Sequence, residues 1–144
     1  MISNSFPALL QSFFTQRMLE QRRSSGHTIA GYRDAFRLLL RFAAEQLSKT
    51  PSNLLLEDLD ASFIGQFLEH LERDRGNTAR TRNARLAAIH SFFRYVALEE
   101  PAHALLCQRV LAIPNKRHER KVIEFLHREE IDALIAVPNT STWI

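Results

Sequence analysis

The segment Asn77–Pro101, with the sequence NTARTRNARLAAIHSFFRYVALEEP, decides the predicted fold. Its apolar residues recur at steps of three and four, which places them on one face of an α-helix: Leu86, Ile89, Phe93 and Val96. The segment opens with Asn77 and Thr78, two residue types that commonly cap a helix N-terminus. The sequence therefore predicts a long amphipathic helix that ends near Pro101.

The other faces of this predicted helix are strongly basic, and no acidic residue occurs in it before Glu99. They carry Arg80, Asn83, Arg85, His90 and Arg94. A surface helix normally mixes charges of both signs, because like charges one turn apart repel each other. This one-sided charge predicts an anionic partner alongside the helix, and a phosphate backbone is the leading candidate.

The composition of the 144-residue chain indicates one modest domain with room for a real core. Hydrophobic residues make up 45% of the chain, and only four glycines and five prolines are present, too few for the many tight turns of an all-β fold. Of the 19 lysines and arginines, 16 are arginine, whose planar fork suits phosphate oxygens. GC-rich coding explains the overall excess equally well, but it does not explain why the arginines cluster.

The remaining patterns predict an all-α fold, a compact bundle of four to five helices. Further helices are predicted over Ser5–Arg23, over Thr28–Leu47, from a cap at Asp60 or Ser62 to Gly76, and over Ala102–Ala112. On the second of these, three arginines lie four residues apart and form one exposed stripe: Arg33, Arg37 and Arg41. The bundle is predicted to occupy residues 1–113.

The character of the chain changes near Pro114, and residues 114–144 are predicted to be a linker followed by the truncated beginning of a second domain. The linker is basic and contains Lys116, Arg117, His118, Arg120 and Lys121. Val122–Leu126 is prone to form a β-strand, and a further helix is predicted from His127. Some thirty residues rarely supply a core of their own.

Several other kinds of site are not supported by the sequence. A single cysteine, Cys107, excludes an internal disulfide and is expected to be a small core residue in a reducing, cytoplasmic protein. The six histidines are scattered rather than set at metal-ligand spacing, and no glycine-rich phosphate loop occurs. No cofactor, metal, membrane or small-molecule substrate is therefore expected.

Three stretches resemble the N-terminal half of tyrosine recombinases, the phage-integrase and Xer-like group. They are His27-Thr-Ile-Ala-Gly-Tyr-Arg33 with Phe42 further along, Thr81-Arg-Asn-Ala-Arg-Leu-Ala-Ala-Ile-His-Ser-Phe-Phe-Arg-Tyr95, and Phe125-Leu-His-Arg-Glu-Glu-Ile-Asp-Ala-Leu134. Each is weak alone, but their order and spacing together are fairly specific. The resemblance implies a SAM-like core-binding domain that clamps recombination-site DNA opposite a catalytic domain.

In that family the second and fourth helices lie against DNA, which here implies double-stranded DNA as the partner and other recombinase protomers in a tetrameric synapse. The implied DNA contacts are His27, Thr28, Arg33, Arg37, Arg41, Arg80, Thr81, Arg82, Asn83 and Arg85. Most should contact phosphates, while Asn83 or Arg85 is positioned to read a base edge. Arg82 projects with Leu86 and Ile89, so it either extends past the core edge or pairs with an acid.

The resemblance does not extend to the family's catalytic residues, an Arg, a His-x-x-Arg pair and a C-terminal Tyr. His70-Leu-Glu-Arg73 spells His-x-x-Arg, but it falls within the third predicted helix and is interpreted as a chance match. The fragment is therefore predicted not to be an enzyme, although its parent protein is. The alternative is a helical protein-interaction module whose arginine stripes meet an acidic partner.

Overall fold

The computed structural model describes residues 5–18 and 26–117. Within these ranges the chain forms five α-helices and no strand: α1 (Phe6–Ser12), α2 (Gly26–Leu47), α3 (Ala61–Arg73), α4 (Ala79–Glu99) and α5 (Ala104–Leu111). Three short 3-10 turns, Pro51–Asn53, Leu56–Asp58 and Pro101–His103, lie in the connections. The all-α bundle predicted from the sequence is confirmed.

The helix ends follow the local chemistry of the chain. Asp60 caps α3 by accepting a hydrogen bond from the Phe63 backbone N–H at 2.9 Å, and Thr78 caps α4 by accepting one from the Thr81 N–H at 3.1 Å. Capping side chains satisfy backbone donors that have no partner inside the helix. Between these helices Gly76 adopts a φ of 68°, a left-handed conformation that glycine tolerates without a steric penalty.

The first helix differs from its prediction. A single helix was expected over Ser5–Arg23, but α1 ends at Ser12. A π-helical segment, Phe13–Met18, follows it directly. Arg23 lies outside the described residues. The Phe6 backbone N–H also donates to the Leu54 carbonyl at 3.0 Å, so the long connection between α2 and α3 is held against the start of α1.

The core is organised around phenylalanine rings contributed by separate helices. Phe92 of α4 lies with its ring centroid 5.3 Å from that of Phe6, 5.6 Å from that of Phe13 and 5.5 Å from that of Phe36. All four side chains are at most 2% exposed. Tilted and edge-to-face ring pairs of this kind add to the hydrophobic gain of burial. This cluster is what packs α2 against α4.

The contact between α4 and α5 is made by apolar residues and one polar pair. His90 of α4 places Nε2 3.1 Å from the Val110 carbonyl oxygen of α5, so the ring nitrogen donates to it. Burial lowers the pKa of His90, and the hydrogen bond opposes that shift only in part. Cys107 is fully buried in the core as predicted, and burial raises the pKa of its thiol to about 11.

The predicted features beyond residue 117 lie outside the described residues. They include three members of the basic linker (His118, Arg120 and Lys121), the predicted strand Val122–Leu126 and the helix predicted from His127. The division of the chain at residues 113 and 114 therefore stays a prediction.

Candidate nucleic-acid interface

The three arginines of α2 form an exposed row on the side of the helix away from the core. Arg33, Arg37 and Arg41 are all exposed, and the buried residues of α2 lie on the opposite side: Ala35, Phe36, Leu39, Phe42 and Ala43. Because Cβ atoms four residues apart point along one side of a helix, the three side chains leave α2 on the same side. The row is thus open to a ligand along its length.

These guanidinium groups are not neutralised by strong internal ion pairs. Arg37 Nη1 lies 3.7 Å from Asp34 Oδ1, but the two side chains are 68% and 54% exposed. Ion pairs at such exposed positions contribute little to stability. Within residues 5–18 and 26–117, no carboxylate is within ion-pair distance of Arg33 or Arg41. Positive charge of this kind remains available to an external anion.

The structure says less about the two DNA contacts predicted at the start of α2. Thr28 is exposed in the first turns of the helix, and it takes part in an interaction within the protein. His27 belongs to the first turn of α2, but its side chain lies outside the described residues. Both residues stay predictions.

The N-terminal turn of α4 presents one exposed arginine. Arg80 is exposed, and in the described part of the chain it has no carboxylate within ion-pair distance. Thr81 is half-buried, and its hydroxyl accepts a hydrogen bond from the Thr78 hydroxyl at 3.2 Å. Arg80 can therefore turn toward a ligand freely, whereas Thr81 is part of the helix cap.

Arg85 does not lie on an outer face of α4, where the sequence pattern had placed it. It is half-buried, and its Nε atom is shielded from solvent without a hydrogen-bond partner in the described structure. The reason is its position one and two turns before Ile89 and Phe92, which are both completely buried. Its guanidinium would have to extend past this packed face to meet any ligand.

Arg82 and Asn83 are engaged by the chain that follows α5. Asn83 donates from Nδ2 to the Lys116 carbonyl at 2.7 Å and accepts the Lys116 backbone N–H on Oδ1 at 2.8 Å. Arg82 donates from Nη1 to the Pro114 carbonyl at 3.2 Å, and its side chain is only 13% exposed. The prediction that Arg82 pairs with an acid has a counterpart in Glu72, whose Oε1 is 3.9 Å from its Nε.

Arg94 is a further exposed arginine that was noted in the sequence but not assigned to the interface. Arg94 lies fourteen residues after Arg80, close to four helical turns, so both project from a similar side of α4 about 21 Å apart along the axis. The available signal was this spacing, which repeats the outward direction of Arg80.

Both residues of the His-x-x-Arg sequence in α3 make contacts with other side chains of the bundle. His70 stacks on Phe42 with ring centroids 4.8 Å apart, and its Nδ1 lies 2.9 Å from an oxygen of Asp74. Arg73 pairs with Glu69 at 3.2 Å on the exposed side of the helix. The His70 ring and Asp74 line a cleft of about 280 Å³ between α2 and α3.

Other kinds of site find little support in the described residues. No group of three or more histidine, cysteine, aspartate or glutamate side chains there could hold a metal ion. None of the described helices is both long enough and apolar enough to cross a membrane. Among the described residues, the exposed arginines are therefore the candidate site.

The helical bundle agrees with a match to a known domain family. The family model for the phage integrase, N-terminal SAM-like domain matches residues 11–100. The chain belongs to this family. No solved structure gives a significant match to it.

Full-length relatives carry names in keeping with that family. The chain is 55% identical over 139 residues to "Putative integrase/recombinase y4rC" of Sinorhizobium fredii and 51% identical over 134 residues to the similarly named y4rD of the same strain. It is 26% identical over 131 residues to "Tyrosine recombinase XerC" of Pelotomaculum thermopropionicum. These matches cover 96%, 93% and 91% of this chain but only 42%, 48% and 41% of the relatives, so the chain spans less than half of their length.

Proposed function

We propose that this domain binds double-stranded DNA through an arginine surface formed by Arg33, Arg37 and Arg41 of α2 with Arg80 and Arg94 of α4. The observation that carries the proposal is the accessibility of these side chains. All five side chains are exposed. Of these five, only Arg37 has an ion pair with a described residue, a 3.7 Å contact with Asp34. Uncompensated like charges favour an anionic partner.

Phosphate is the part of DNA that such a surface fits best. A guanidinium group presents N–H donors in a rigid plane, which suits two oxygens of one phosphate. Contacts of this kind fix the position of a protein on the duplex but carry no sequence information directly. The domain is therefore proposed to supply affinity and orientation with little base preference.

In the whole protein this domain would hold DNA for a tyrosine recombinase. The family match and the names of the relatives support this assignment. In such an enzyme a tyrosine hydroxyl would attack a backbone phosphate and become covalently joined to it, displacing a sugar hydroxyl of the cleaved strand, while arginines stabilise the charge on the phosphoryl oxygens. A tetramer of protomers on two duplexes is the assembly that the resemblance implies.

The proposal predicts that DNA affinity depends steeply on salt. Each phosphate contact releases counterions, so phosphate contacts by four of the five arginines correspond to a slope of about −3.6 in log K against log salt. Affinity for a short duplex should then fall about 150-fold between ~50 and ~200 mM monovalent salt. Fluorescence anisotropy with a labelled duplex measures it directly.

A second duplex of unrelated sequence serves as the control and should give nearly the same slope. Binding that ignores salt would contradict the proposed phosphate contacts. No DNA binding at low salt, together with salt-sensitive binding to an acidic polypeptide, would instead favour the protein-interaction alternative.

A further inference from the structure

The chain segment Pro114–Lys116, which follows α5, is fastened to the side of α4 by two consecutive residues of that helix. The side-chain amide of Asn83 forms two hydrogen bonds with the backbone of one residue, Lys116, at 2.7 and 2.8 Å. Arg82 adds a third bond to this segment, at the Pro114 carbonyl. The partners are 32 and 33 residues apart in sequence, so these are tertiary contacts and not a local turn.

Glu72 of α3 holds the same segment from the other side. Its Oε2 accepts a hydrogen bond from Lys116 Nζ at 2.8 Å, and its Oε1 lies 3.9 Å from Arg82 Nε. Glu72 is 25% exposed, so the carboxylate is half-buried between two cations. Without this carboxylate, the Arg82 and Lys116 cations that both approach it would have no acid between them, which is unfavourable.

We propose that Glu72, Arg82 and Asn83 form a latch that fixes the exit of the polypeptide from the bundle. Asn83 is then a positioning residue that recognises this chain's own backbone. A bidentate contact to adenine would need the same amide donor and acceptor, so the latch and base reading by Asn83 exclude each other.

The latch sets where the rest of the chain begins. Asn83 lies one turn after Arg80, so Lys116 is held beside the N-terminal end of α4. A chain leaving from a fixed point samples fewer orientations than one on a free tether. The chain at residues 114–116 is thus held at a defined place, close to Arg80 of the arginine surface. This inference goes beyond DNA binding and does not depend on it.

Amide hydrogen exchange of Lys116 tests the latch without any DNA. In the native protein this N–H donates to Asn83 and should exchange slowly. Asn83→Ala removes the acceptor, so exchange of the Lys116 amide should accelerate at least about tenfold while core amides are unchanged. Asn83→Asp retains an acceptor oxygen and should keep part of the protection. Asn53→Ala, at an exposed asparagine elsewhere, serves as the control.

Lysine-specific proteolysis tests the contribution of Glu72. The chain contains three lysines, Lys49, Lys116 and Lys121. Cleavage after Lys116 requires the segment to leave the bundle, so Glu72→Gln should raise that rate about fivefold relative to cleavage after Lys49. Glu69→Gln removes the same charge from an exposed site of α3 and should leave the ratio unchanged.

The latch is overturned if the Lys116 amide exchanges at the same rate in native and Asn83→Ala proteins, or if Glu72→Gln and Glu69→Gln give equal cleavage ratios. Both measurements use the protein alone. Failure of the domain to bind DNA would therefore leave their outcome unaffected.

Discussion

Replacing Phe92 by alanine should lower the free energy of unfolding by about 3–5 kcal/mol, the usual cost of removing a large buried aromatic side chain. Phe92 is completely buried, and its ring contacts those of Phe6, Phe13, Phe36 and Phe93 at centroid distances of 5.2 to 5.6 Å. A domain of this size has a total stability of only about 5–15 kcal/mol. Chemical denaturation followed by circular dichroism should show a large shift of the midpoint.

The matched control is Leu98→Ala on the same helix. Leu98 is 69% exposed, so its loss should change the free energy of unfolding by less than about 0.5 kcal/mol. Equal destabilisation by the two substitutions would show that the aromatic cluster is not the centre of the core.

Reversing the charge of Arg33 and Arg80 together should weaken DNA binding by at least about 100-fold. A hydrogen bond to a charged group contributes about 1.5–3 kcal/mol, and two such losses are amplified by repulsion between the new glutamates and phosphates. Both arginines are exposed and have no ion pair with a described residue, so the fold should not change. Affinity and melting temperature are measured on the same preparation.

Arg109→Glu is the control for this substitution. Arg109 is exposed on α5, and its reversal changes the net charge without touching the arginine surface. If it weakens DNA binding as much as reversal of Arg33 or Arg80 does singly, overall charge and not the arginine surface explains the affinity.

The sequence predicted the helices well because their signals are local. Helical periodicity located α2 to α5, and the caps at Asp60 and Thr78 are side chains within three residues of the N–H groups that they satisfy. The exposed row of α2 could also be predicted from the sequence. Arg33, Arg37 and Arg41 repeat every four residues, opposite a clear apolar stripe. Helical periodicity and the charge pattern are enough to predict which residues are exposed when one face of a helix is buried and the other is not.

The same reasoning failed for Arg85 because α4 is buried over a wider arc. Beyond the four apolar residues that defined its predicted inner face, the helix also buries Ala88, Phe92 and Tyr95. It packs against α2, α3 and α5, so little of its circumference stays exposed. A pattern that assumes one buried stripe places Arg85 outside, whereas its neighbours one and two turns on are core residues.

The engagement of Asn83 could not be read from local sequence at all. Its partner is the backbone of Lys116, which any residue type would offer, and the two residues are 33 positions apart. From the sequence alone, an asparagine on an arginine-rich helix fits a contact with a DNA base as well as it fits a contact with the protein backbone. The path of the chain after α5 decides between the two roles, and that path is a tertiary property.

The most direct measurement of the central claim is a nuclear magnetic resonance titration that follows the arginine Nε–Hε signals as duplex DNA is added at low salt. If the arginine surface binds DNA, the signals of Arg33, Arg41 and Arg80 shift first and by the largest amounts, while the signal of Arg109 does not shift. Shifts confined to Arg109 and Arg73, or none at saturating DNA, would contradict the proposal that α2 and α4 grip the phosphate backbone.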